Sequence, residues 1–104
     1  MSQDAPIAVQ DAIAWLEQQR LTQERNPYDI VRFGEWLLEH NYLSKLGSDV
    51  WAFLEQLGMA AAELGNQDLA ELCLSRLQSR FMDSTRVALL KGVIEESHLS
   101  LIHI

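Results

Sequence analysis

Cysteine and basic charge are scarce in this chain of 104 residues, and long hydrophobic runs are missing; each lack excludes something. Cys73 is the one cysteine, so no disulfide can form within the chain. It sits in an apolar helical pattern away from any cluster of Lys, Arg or His, which reads as a buried thiol packing as a small hydrophobe in a reducing compartment, not as a reactive thiolate. Eight Lys and Arg against fifteen Asp and Glu give a formal charge of −7. With no basic run to face phosphates, nucleic acid and anionic lipid are poor partners, and a protein partner remains open. No window approaches the roughly 18 uninterrupted apolar residues that span a bilayer, and Met1 to Pro6 hold no basic stretch leading into an apolar one. The expectation is a cytosolic chain without a direct membrane span.

Chemistry-bearing motifs are lacking as well. His40, His98 and His103 include no pair at i, i+4, and there is neither a Cys-x-x-Cys nor a Gly-rich phosphate loop. Glu95-Glu96 lies in polar helical surroundings where carboxylates are solvated, with no base or nucleophile paired to it. No catalytic residue, cofactor or metal ligand is expected. Trp15, Trp36 and Trp51, one in each of the first three helical patterns, read as amphipathic residues at the edge of a core in preference to a ligand cage.

What the chain does hold is enough apolar material, 48% of residues, for one small core. Asp4 with Pro6 marks a helix start, and Val9, Ile13 and Leu16 make one apolar face running to about Gln23. Asn26-Pro27 repeats the signal, with Asn as N-cap and Pro at the first helical position, and predicts a helix over about 27–42. Its stripe is Ile30, Phe33, Leu37 and Asn41, flanked by Trp36 and Leu38. Ser44 to Asp49 reads as a polar loop whose Ser48 caps a third helix, with Val50, Leu54, Leu57, Ala61 and Leu64 at helical spacing up to Gly65. Asn66 or Gln67 opens a fourth, striped by Ala70, Leu74, Leu77 and Phe81 and widened by Leu69, Leu72 and Cys73. Asp83-Ser84 punctuates before a fifth begins near Thr85. No alternating run of β-branched residues suggests a strand, so the fold is expected to be all-α, a succession of about five antiparallel helices.

A repeat emerges when Trp51 is counted as the first position of a unit of roughly 34 residues. Leu54, Leu57, Gly58, Ala61, Gly65, Ala70, Leu74 and Leu77 then fall at positions 4, 7, 8, 11, 15, 20, 24 and 27, close to a tetratricopeptide repeat. The spacing describes close packing: Gly58 and Ala70 let two antiparallel helices approach, larger residues interlock around them, and Gly65 makes the turn. A second copy beginning at Thr85 places Gly92 at its small position. Trp is missing from position 4 and Met82 stands where Pro is usual, so a generic helical hairpin is the alternative. The predicted organisation is a single helical domain over 1–94, with capping helices at 1–43, a first repeat at 50–82 and the start of a second at 85–94. Residues 95–104 form an atypical tail.

The stretch "SKLGSDVWAFLEQLGMAAAELGNQDLAELCLSRLQSRF" with the following "STRVALLKGV" resembles the N-terminal part of a known family, subunit 2 of the endoplasmic reticulum membrane protein complex, a tetratricopeptide protein. The specific parts are Ser44 to Trp51, Asp68-Leu69-Ala70 with Cys73-Leu74, and Arg86-Val87. The likeness covers about residues 28–94, while 1–25 match poorly and "EESHLSLIHI" looks foreign to the family, as in a truncated or misread frame. It implies a non-enzymatic scaffold, peripheral on the cytosolic face of the endoplasmic reticulum membrane, that binds other subunits of the complex and supports insertion of tail-anchored and multipass proteins.

Three function classes follow: that scaffold, a generic tetratricopeptide adaptor for a protein or chaperone peptide, and an enzyme with no positive feature. Adaptors that capture acidic peptides place Lys and Asn where this chain has Glu55 and Met59, and an anionic Glu55 is expected to repel such a peptide. If a partner binds, the expected contributors are Trp51, Glu55 and Met59, since the first helix of each repeat lines the concave groove of such spirals. Val87, Leu90, Val93 and Ile94 are expected to lack their cover, so that Leu99, Leu101 and Ile102 fold back onto them or the chain self-associates.

Overall fold

Five helices follow one another in the computed structural model, which describes residues 8–22 and 26–102. They are α1 (Val9–Thr22), α2 (Pro27–Glu39), α3 (Val50–Glu63), α4 (Gln67–Arg80) and α5 (Thr85–Ile102), with a 3-10 stretch at Tyr42–Asp49 between α2 and α3. No strand occurs among the described residues, and the chain is all-α. The helix start expected at Asp4 and Pro6, and the end at Gln23, lie outside the described residues.

The turn between α3 and α4 shows how little sequence a tight hairpin needs. Gly65 takes φ 75°, a left-handed backbone that costs glycine nothing. Its N–H bonds the Ala62 carbonyl at 3.1 Å and that of Asn66 the Ala61 carbonyl at 2.9 Å, the paired bonds of a Schellman end. Asn66 then caps α4 at once, its Oδ1 accepting from the Leu69 N–H at 3.3 Å. One glycine closes a helix and the next residue opens another. At the start of α5, Ser84 Oγ accepts from the Val87 N–H at 3.4 Å, in the punctuating place expected of it.

Two boundaries differ from the sequence reading. α2 stops at Glu39, because Asn41 turns left-handed (φ 60°, ψ 39°), which Asn tolerates better than most side chains; expected on the apolar stripe, it is exposed. The expected polar loop coils into 3-10 turns kinked at Gly47 (φ 60°, ψ −133°). There the Val50 N–H bonds the Gly47 carbonyl, so the turn feeds straight into α3. Ser48 is therefore not the cap: Asp49 precedes the helix and makes no side-chain cap bond.

α3 is the central element, packing against every other one, and contacts join helices two apart along the chain, α1 to α3 and α3 to α5. Leu54, Leu57, Ala61, Ala70, Leu74 and Leu77 are all buried in the resulting core. Gly58 lies where three helices meet: a Cβ there would stand 3.3 Å from Cys73 Cβ and 3.4 Å from Leu90 Cδ2. Gly34, unremarked in the sequence, is tighter still, with Leu57 Cδ1 2.6 Å from where its Cβ would be. Leu72, expected to widen the α4 stripe, is exposed instead, and Phe81 lies at the rim.

α5 corrects another expectation. Val87, Leu90 and Ile94 are buried against α3 and α4, with Ile94 fully enclosed, and Val93 is partly buried. The face thought to lack a cover has one, and the reason for a fold-back or self-association falls with it. The helix runs unbroken through Ile102, continuing the segment expected as a tail and making no reversal that a fold-back requires. The side chains of His98, Leu99, Leu101 and Ile102, and residue His103, lie outside those described. Gly92, expected at a close contact, is exposed, and a Cβ there would meet nothing within 4 Å.

Candidate functional site

The face shared by α1, α3 and α5 is held by polar side chains from the exposed edge of α3. Gln56 donates from Nε2 to the Leu16 carbonyl at 2.9 Å and accepts at Oε1 from Arg20 Nη1 at 3.0 Å, fastening α1 to α3. At the adjacent position of α3, Glu55 is met by Arg86 on α5, which donates through Nε to Glu55 Oε2 at 3.3 Å and through Nη2 to the second oxygen, a two-point pair. Between these two fastenings lies a shallow groove floored by Met59, Leu89, Leu90 and Val93. Leu89 is 65% exposed and Met59 40%. Large apolar side chains thus stand open to water beside two guanidinium groups.

The groove continues past Ala52, Glu55 and Arg86 into a cleft of about 170 Å³ where α3 begins, α4 ends and α5 begins. Its walls are Trp51, Leu77, Phe81, Val87 and Leu90. Trp51 and Phe81 meet edge to face with centroids 5.2 Å apart, and the Arg80 guanidinium lies 5.9 Å from the Trp51 ring. Trp51, Glu55 and Met59, picked from helical position alone, line this one face, with Glu55 in both parts of it. The sequence reading missed Arg20, Gln56, Arg86 and Leu89. Arg86 was within reach, standing beside the position Thr85 that opens the second copy; Arg20 was not, because residues 1–43 follow no repeat template.

One expectation about this face changes. Glu55 was expected to repel acidic peptides, yet its carboxylate is taken up by Arg86, so the pair presents little net charge. The tryptophans stand apart, Trp15 edge-on to Phe33 at 5.1 Å, Trp36 to Tyr42 at 5.6 Å and Trp51 to Phe81; Trp15 and Trp51 lie partly buried at the edge of the core, whereas Trp36, expected there too, is buried within it. Cys73 is fully buried, and burial pushes its thiol up to about 12, with nearby Arg76 pulling weakly the other way. Among the described residues no three His, Cys, Asp or Glu side chains gather in a way that could hold a metal ion. No described helix is long and apolar enough to cross a membrane.

No protein-family model matches the chain. Over 69 residues, 66% of its length, it is 44% identical to ER membrane protein complex subunit 2-B of Xenopus laevis. Over the same length it is 39% identical to ER membrane protein complex subunit 2 of Xenopus tropicalis and to subunit 2-A of Xenopus laevis. The chain is a homologue of this subunit. The matched stretch amounts to 23% of each of these relatives, so the chain spans about a quarter of the length of the subunit 2 proteins it resembles. Those relatives are by name members of a multi-subunit complex of the endoplasmic reticulum membrane.

Proposed function

We propose that the chain works as a non-enzymatic scaffold segment within the endoplasmic reticulum membrane protein complex, on the cytosolic side, holding segments of other subunits and so supporting insertion of tail-anchored and multipass membrane proteins. The observation that carries this reading is the 44% identity to a named subunit of that complex. The structure adds support of a different kind. α3 and α4 make a tight hairpin within the span proposed as the first repeat, 50–82; α5 starts at Thr85, where the second repeat is proposed to begin; and α1 and α2 fall within the proposed capping segment, 1–43. In this arrangement α1, α3 and α5 side by side leave one open face with exposed apolar side chains, which a monomeric enzyme core has no need of but a docking surface uses. Trp51, Glu55 and Met59 are the proposed contact residues on it.

The test is assembly. A chimera in which the matched stretch of this chain replaces its counterpart in Xenopus laevis subunit 2-B is expected to co-purify with the remaining subunits as the parent does. Trp51→Ala combined with Glu55→Lys is expected to lower recovery while leaving helix content unchanged. A well-folded chimera that brings down no other subunit sinks the scaffold reading, and undiminished recovery of the double variant dismisses those two contacts.

A further inference from the structure

Resting on that reading, we infer that the groove between α1 and α5 takes a partner segment carrying a carboxylate beside large aliphatic side chains, and that Arg20 is the residue that receives the carboxylate. The argument is one of charge and preorganisation. The chain as a whole is acidic, at −7, yet among the described residues the groove is lined by Arg20 and Arg86 with Glu55 as the one carboxylate on its wall. Glu55 is engaged by Arg86, which leaves Arg20 as the side chain whose charge is not matched among the described residues. Its only bond there is to a neutral carboxamide, Gln56 Oε1 at 3.0 Å. Gln56 cannot swing away, because its other end is tied to the Leu16 carbonyl. Among the described residues the guanidinium is thus held at the groove wall with one of its five N–H donors used, and its planar fork suits a two-point bond to a carboxylate.

The apolar half of the site stands next to it. Met59, Leu89 and Val93 give a segment's aliphatic side chains a surface to cover, and Leu89 is two-thirds exposed without such cover. An acidic group at one end of an aliphatic stretch meets both features at once. A basic or neutral segment would bury Arg20 without a counter-charge, which is costly.

Fluorescence anisotropy with the whole chain tests this. The probe is a fluorescein-labelled 16-residue peptide of repeated Glu-Leu-Leu-Ala blocks, compared with one carrying Gln, and one carrying Lys, in place of every Glu. The expected result is that the Glu peptide binds about tenfold or more tightly than the Gln peptide, as a charge-assisted two-point bond implies, and that the Lys peptide binds weakest. Arg20→Gln should bring the Glu and Gln peptides together, Arg20→Lys should keep part of the preference, and Leu89→Ser should weaken both peptides alike. Arg32→Gln, on the exposed side of α2, should change nothing. Circular dichroism confirms that each variant is folded. Equal binding of Glu and Gln peptides, a preference that survives Arg20→Gln, or no binding of any peptide overturns the inference. Each of these outcomes leaves the chimera's assembly free to succeed or fail, so loss of the carboxylate site and loss of the scaffold role are told apart.

Discussion

At the scale of single residues, the positions that matter most are the smallest and the most hidden. Gly58 was legible because it falls at a small position of the repeat spacing. Gly34 was not: its partner Leu57 comes from another helix, and nothing local to α2 signals that α3 approaches there. Gly34→Val is expected to lower stability by about 1–3 kcal/mol, since the added side chain must displace a fully buried leucine. Chemical denaturation measures it, and an unchanged midpoint would mean the approach is looser than the structure has it. Cys73 was legible as a packing residue from its place among leucines, and burial has a consequence at high pH. Its folded pKa, raised to about 12 from the ordinary 9.0, lies above the unfolded value. Its contribution to stability is therefore present in full below pH 9 and is lost as pH rises from 9 towards 12, where the unfolded thiol ionises and the folded one does not. Cys73→Ala should remove that part of the alkaline loss, measured as the difference in midpoint between pH 8 and pH 11. In the folded wild type the thiol should also react slowly with a disulfide reagent and quickly once denatured.

At the scale of elements, helix type and number were readable because the apolar residues recur at helical spacing and each break carries Gly, Asn, Asp or Ser. The misread boundaries lie where local chemistry offers two solutions. Ser44 to Asp49 has the composition of a loop, but short 3-10 turns satisfy the same backbone groups, and Gly47 supplies the one dihedral pair that lets them join α3. The uncovered face assigned to α5 went wrong for another reason. The pattern shows that Val87, Leu90 and Ile94 share a side, and only packing shows that α3 and α4 fill it. The α3–α4 hairpin rests on two residues, so Gly65→Ala should cost about 1 kcal/mol through the left-handed backbone. Asn66→Ala should cost a similar amount, about 1 kcal/mol, through the lost cap. The two are adjacent, so the double variant need not show the sum. Thermal unfolding of the three variants checks this, and a neutral Gly65→Ala would mean the turn has other ways to close.

At the scale of the whole molecule, helices two apart along the chain meet on one side of α3 and leave an open face, held by Gln56 towards α1 and by Glu55 towards α5. Half of that face could be read in advance: Trp51, Glu55 and Met59 share a side of α3 by spacing alone. Its other half, Arg20 and the exposed Leu89, depends on which helices come together, and no single-helix pattern encodes that. The central claim is that this face meets another subunit. The most direct measurement puts a photo-crosslinking amino acid at Met59 in the subunit 2-B chimera, with Leu72 on the exposed side of α4 as the comparison position. After illumination of the purified complex, the account predicts a crosslink from position 59 to a second subunit and none, or far less, from position 72. A crosslink from 72 alone, or from neither position in a fully assembled complex, would contradict it.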